Sequence, residues 1–112
     1  MKKLLTIILL LNLALLNNVN AEPQLTPELK AGKEKALTIC SACHGLNGQA
    51  ASAGNSVLIP NITAQHKNYL VARLKAYKSG EIKHPQMTVV AQMLTEQDIE
   101  NVSEWYSRIK IT

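Results

Sequence analysis

Aromatic side chains are scarce in this chain, which has no Phe, one Trp and three Tyr. A small domain buries only a modest fraction of its surface, and so few aromatics leave it without a generous core of its own. Basic residues are scattered along the chain. No basic run is longer than two residues, and no pattern of aromatic residues suited to stacking on bases accompanies such a run. Nucleic-acid binding is therefore not supported.

Cysteine occurs only twice, at Cys40 and Cys43. A zinc site needs about four ligands, and no second Cys or His pair is spaced to complete one. A redox dithiol of the thioredoxin type needs a βαβ setting, and the sequence contains no convincing strand. Both classes are disfavoured.

A long hydrophobic run is also missing. Residues 4–16 are almost wholly apolar and follow Lys2 and Lys3, but they fall short of the roughly 20 residues that span a bilayer. With small residues at Val19 and Ala21, this pattern predicts a secretory signal that is cleaved after Ala21. We expect residues 22–112 to form one exported domain, periplasmic and without stable membrane insertion.

The two cysteines that are present stand in Cys40-Ser41-Ala42-Cys43-His44, the C-x-x-C-H pattern of covalent haem attachment. Two thiols at this spacing reach the two vinyl groups of a porphyrin, and the adjacent imidazole is carried under the ring to bind iron. The sequence therefore predicts one haem c, held by two thioethers. A buried porphyrin would supply the missing apolar core, so we expect the haem-free chain to fold poorly.

Local patterns predict three helices. One begins at Thr26-Pro27 and runs to about Thr38 or Ile39, a second spans about 64–78, and a third opens at Thr95. Residues 45–61 are predicted to be loop, and residues 81–94 an irregular segment.

The second axial ligand has four candidates, Met87, Met93, His66 and His84. Methionine sulfur stabilises ferrous iron and raises the reduction potential, which suits an electron carrier. Met87 is favoured because the irregular segment after Pro85 can fold across the far face of the haem. Met93 is expected to pack against the last helix, and a bis-histidine site through His84 remains the main rival.

The order of these segments resembles the class I cytochromes c, above all the single-haem c5 and c553 type and one half of the dihaem cytochrome c4. The resemblance rests on the haem motif together with Pro60-Asn61-Ile62, Met87 and the segment from Leu94 to Ile99. It implies an all-α cytochrome c fold, with terminal helices that cross near Gly32 and Trp105 or Tyr106. It also implies that Met87 binds iron and that the Pro60 carbonyl accepts a hydrogen bond from His44.

The expected function is that of a periplasmic electron carrier, not an enzyme, because two occupied axial positions leave no site for substrate. We expect the protein to be a monomer that meets redox proteins in transient complexes. These partners would be membrane respiratory complexes or terminal oxidases and reductases. The alternatives are an electron-transfer subunit or a small haem enzyme of the peroxidase or sulfur-compound oxidase type. An enzyme would require a labile sixth ligand.

Overall fold

The computed structural model describes residues 24–54 and 57–111. Within those ranges the regular secondary structure is helical and no strand occurs. The predicted signal segment, residues 1–21, lies outside the described residues.

The first helix, α1, spans Pro27–Lys35. Its start follows the local pattern, because the Thr26 hydroxyl accepts a hydrogen bond from the Leu29 N–H and Pro27 occupies the first helical position. The chain continues without a break through a π-helical turn, Ala36–Cys40, into a short helix α2, Ser41–His44. The prediction that this helix ends at Thr38 or Ile39 is therefore wrong. β-Branched residues lower helix propensity only slightly, and nothing stops the helix before Gly45.

The last helix, α5, spans Glu96–Arg108 and begins at the predicted Thr95. Asp98 N–H donates to the Thr95 hydroxyl, and the Asp98 carboxylate accepts from the Thr95 N–H, which makes a capping box. Burial acts to raise the pKa of Asp98, but the hydrogen bonds with Thr95 and the Lys35 ammonium at 3.5 Å outweigh it. The pKa of Asp98 is thus held below its ordinary value.

Helices α1 and α5 cross at Gly32. A Cβ atom on Gly32 would lie 2.1 Å from the carbonyl O of Asn101 and 3.3 Å from the Cβ of Trp105. Only a residue without a side chain allows the two backbones to approach so closely. The predicted crossing of the terminal helices is confirmed.

Two further helices complete the architecture. Helix α3 spans Lys67–Ser79 and ends at Gly80, close to the predicted bounds. Helix α4 spans Met87–Gln92 and packs against α3, so the prediction that residues 81–94 are irregular is wrong over that stretch. A short 3-10 turn, Ala50–Ala53, interrupts the predicted loop 45–61.

The core is small, as the composition predicts. One cluster joins the helices through Ala36, Leu70, Val102 and Tyr106. Partly buried side chains pack around it, and these are Cys40, Ile62, Leu74, Trp105 and Ile109. Among the Trp and Tyr residues of the described ranges, Tyr106 is the one that is buried.

Ion pairs link α3 to α5 on the surface. Lys67 lies 3.1 Å from Glu104 and 3.4 Å from Glu100, and Lys75 lies 3.4 Å from Glu96. Each exposed pair adds little stability, and the two helices also pack through Leu70, Val102 and Tyr106 of the core cluster. No helix within the described ranges is long and apolar enough to cross a membrane.

Candidate cofactor site

Both cysteines and His44 lie on the helical segment that follows α1. Residues three and four apart in a helix lie on the same face, so the spacing from Cys40 to Cys43 and from Cys40 to His44 brings all three side chains to one side. Cys40 is half-buried and packs against the core cluster, whereas Cys43 is exposed. One thiol is thus anchored in the core and the other lies at the surface.

His44 is buried, with 8% of its surface exposed. Its Nδ1 lies 2.8 Å from the carbonyl O of Pro60, the pair that the resemblance implies. A carbonyl oxygen can only accept a hydrogen bond, so Nδ1 must carry a proton, and in the neutral ring Nε2 then has a free lone pair. The contact therefore fixes the tautomer in which Nε2 can bind a metal ion.

The loop after His44 folds back on itself and presents the Pro60 carbonyl to that ring. Gly45 has a φ of +82° and would bring a Cβ within 2.2 Å of the Gln49 carbonyl O, so the turn out of the helix requires glycine. Asn61 Oδ1 accepts a hydrogen bond of 2.8 Å from the buried Ala50 N–H. This cross-loop bond holds the residue next to Pro60 in place.

Burial dominates the electrostatics at the anchored thiol. It raises the pKa of the Cys40 thiol to about 11, and the neighbouring Tyr106 hydroxyl acts in the opposite direction. Burial likewise raises the pKa of Tyr106, and the adjacent Cys40 adds to that effect. Both groups are therefore neutral near pH 7.

Met87 lies on a separate element, as the first residue of α4, and is partly buried. Met93 lies at the other end of the same helix and is 63% exposed, so the expectation that it packs against the last helix is wrong. His66 and His84 are both exposed, but they differ in role. His66 stands at the start of α3 and makes no capping hydrogen bond, whereas Nδ1 of His84 accepts hydrogen bonds from the backbone next to Met87.

Three contributors to the site were not predicted from the sequence. Tyr106 lies against the Cys40 sulfur, Asn61 ties the Pro60 segment to the 3-10 turn, and His84 supports the start of α4. An Asn next to a proline in a loop is a recognisable turn signal. The Tyr106 contact depends on packing between elements far apart in sequence. The His84 contact is local, but histidine is not a usual helix-capping residue, so no standard signal marks it.

These residues fit a c-type haem. The site offers two thiols on the face of the helix that carries His44, and an imidazole whose free nitrogen is Nε2. Among the described residues, no group of three or more His, Cys, Asp or Glu side chains could hold a metal ion unaided. A porphyrin brings its own iron and four nitrogen ligands, so the protein would have to supply only thiols for attachment and side chains able to bind the iron.

The cytochrome c family model matches residues 29–108, a stretch that includes α1 from Leu29 onward and the whole of α2 to α5. The chain belongs to the cytochrome c family. Membership confirms the resemblance to class I c-type cytochromes and the all-α fold, and it assigns haem-based electron transfer as the family's activity. The family supports haem c as the cofactor, and Cys40 and Cys43 fit its C-x-x-C-H attachment motif.

Curated relatives agree with this assignment. The chain is 40% identical over 80 residues to cytochrome c-554(548) of Halomonas halodenitrificans, which covers 69% of this chain and 90% of that protein. It is 32% identical over 83 residues to cytochrome c-553 of Helicobacter pylori, covering 73% and 83%. It is also 32% identical over 78 residues to cytochrome c4 of Thiocapsa roseopersicina, covering 70% of this chain but only 38% of that protein.

Proposed function

We propose that the protein is an exported, single-haem electron carrier whose iron is held between His44 and Met87. The observation that carries the proposal is the hydrogen bond from His44 Nδ1–H to the Pro60 carbonyl, because it leaves Nε2 free to bind iron. The chain contains one C-x-x-C-H segment, which supports a single haem. We place the mature domain at residues 22–112 and its location in the periplasm.

Each cysteine forms one thioether in this scheme. The S–H bond of Cys40 or Cys43 would add across a vinyl group of the haem: sulfur bonds to one vinyl carbon and the hydrogen goes to the other, so no group leaves. Because both bonds arise from one helical segment, they also fix where His44 meets the iron. The haem, once attached, supplies the one-electron ferric–ferrous couple.

The axial residues then set the properties of that couple. Hydrogen bonding to Pro60 fixes the plane of the His44 ring and strengthens its nitrogen as a donor. A methionine sulfur as the second ligand would stabilise the ferrous state and raise the potential. Met87 is the stronger candidate, because it is partly buried at the supported start of α4, whereas Met93 is exposed at the opposite end.

Partners are expected to be redox proteins met in brief encounters. Val57 and Leu58 are 91% and 93% exposed. They lie just before Pro60, whose carbonyl accepts the hydrogen bond from His44. A small apolar patch of this kind suits a weak, rapidly exchanging complex.

Spectra of the holoprotein test the ligands directly. After expression with a haem-maturation system, the ferric wild type should show a sulfur-to-iron charge-transfer band. Met87→Ala should abolish that band, and the matched variant Met93→Ala should keep it. A band that persists in Met87→Ala would refute the assignment.

Two further measurements test the remaining parts of the proposal. Carbon monoxide binding to the ferrous wild type would reveal an open sixth position and favour the haem-enzyme alternative. Sequencing of the exported protein should find Glu22 at its amino terminus. An uncleaved amino terminus would contradict the predicted signal.

A further inference from the structure

His84 lies at the start of the helix that carries Met87. Its Nδ1 accepts hydrogen bonds from two successive backbone N–H groups, at 3.2 Å from Gln86 and 3.1 Å from Met87. The two donors share one lone pair on the ring, so Nδ1 carries no proton in this arrangement. The imidazole is thus fixed against the backbone of the proposed iron ligand.

Helix α4 needs such support. The first N–H groups of any helix have no partner within the helix, and six residues are too few for a helix to be stable alone. Gln86 precedes the helix and its side chain makes no capping hydrogen bond. The ring of His84, two residues before this cap position, instead accepts from the N–H groups of Gln86 and of Met87, the first residue of the helix. It thereby supports the helix start as a Ser, Thr, Asp or Asn cap would.

The backbone of His84 strengthens the same connection. Its N–H donates to the Thr88 hydroxyl at 2.8 Å, and its carbonyl accepts from the Thr88 N–H at 3.1 Å. The Thr88 hydroxyl in turn donates to the Ile82 carbonyl. Ring and backbone together hold the first turn of α4 at several points.

His84 is itself held from the neighbouring helix. Its ring meets the Tyr77 ring edge to face, with centroids 6.0 Å apart and planes at 72°. Tyr77 is placed by Arg73, whose guanidinium donates to the Tyr77 hydroxyl at 3.3 Å and lies 5.4 Å from the ring centroid. A continuous set of contacts therefore runs from α3 to the backbone of Met87.

We propose that His84 is a positioning residue for the distal ligand: it fixes the Met87 backbone and does not itself bind the iron. This inference rests on the proposed ligation by Met87. In this role His84 supports binding of the iron by Met87. In the alternative, a bis-histidine site, His84 itself would bind the iron. With the cap in place, the Met87 sulfur is presented from a fixed first turn and does not have to be ordered each time it binds.

Competition with added imidazole measures this effect in the holoprotein. Imidazole must displace the methionine sulfur, so its apparent affinity for the ferric protein reports how firmly that sulfur is held. Loss of a helix cap costs about 1 kcal/mol, which corresponds to about a fivefold increase in apparent imidazole affinity for His84→Ala. His84→Asn should restore much of the wild-type value, because an amide oxygen can accept the same hydrogen bonds.

His66→Ala is the matched control, since His66 is also an exposed histidine at a helix start but makes no capping bond. It should leave the imidazole affinity unchanged. Equal imidazole affinities in His84→Ala and His66→Ala would overturn the proposal. Loss of the resting low-spin spectrum in His84→Ala alone would also overturn it, because His84 itself would then be the iron ligand. Met87→Ala distinguishes the two hypotheses: a retained charge-transfer band there refutes Met87 ligation, whereas a lost band with unchanged His84→Ala affinity refutes only the positioning role.

Discussion

Replacing Gly32 by Ala should destabilise the protein, although alanine is the better helix former. In an isolated helix the change would gain about 1 kcal/mol. Here the new Cβ would lie 2.1 Å from the Asn101 carbonyl O and 2.6 Å from its carbon. Since an ordinary carbon–oxygen contact is about 3.3 Å, α1 and α5 must separate by roughly 1 Å at the crossing.

The cost of that separation exceeds the gain in helix propensity. A gap of about 1 Å forfeits up to half of the dispersion energy of the contacts across it, and overpacking of this kind typically costs 1–3 kcal/mol. We take about 3 kcal/mol because the obstructing atoms are backbone and cannot rotate away. The net loss is then about 2 kcal/mol, or on the order of 10 °C in Tm for a domain of this size.

Urea unfolding of the holoprotein, followed by far-ultraviolet circular dichroism, would measure this loss. Ala31→Gly is the control, because Ala31 is exposed in the same helix and reports propensity without the crossing. It should cost about 1 kcal/mol. A Gly32→Ala protein as stable as the wild type, or more stable, would refute the close approach of the two helices.

Three other predictions follow from the site and its scaffold. Asn61→Ala leaves the buried Ala50 N–H without its acceptor and should cost about 1–3 kcal/mol in urea unfolding; an unchanged midpoint would contradict the cross-loop bond. Because the pKa of Asp98 is lowered by folding, its stabilisation is present above the unfolded value of about 3.9 and is lost as the pH falls through the folded value. Asp98→Asn should therefore flatten the acid limb of the stability curve, and an equally steep limb would argue against it. The variant that replaces both Cys40 and Cys43 by Ser should show no cooperative thermal transition, whereas a sharp transition would show that the core suffices without haem.

Local sequence signals correctly predicted where the first and last helices begin. Thr26-Pro27 and the segment Thr95 to Asp98 each supply the groups that cap a helix, so those helix starts are visible without tertiary information. Helix α4 was missed because β-branched Thr88, Val89 and Val90 lower its propensity and no usual cap residue precedes it. Its support comes from His84 and from packing on α3.

The site also contains one part that local sequence reveals and another that only the fold brings together. The haem motif is contiguous, so its chemistry can be recognised from five residues. Pro60 is 16 positions from His44, and only the family resemblance named it before the structure placed the two together. The contact between Tyr106 and Cys40 joins opposite ends of the domain, and no local pattern signals it.

The position of the single tryptophan has a spectroscopic consequence. Trp105 packs against the same cluster as Cys40, and its ring also lies 5.5 Å from the Lys33 ammonium. A porphyrin bonded to Cys40 absorbs where indole emits, so energy transfer should quench Trp105 fluorescence in the folded protein. Unfolding separates the two residues while the thioethers keep the porphyrin on the chain, and the emission should then rise. Trp105 emission should therefore report whether the amino-terminal and carboxy-terminal helices are packed together.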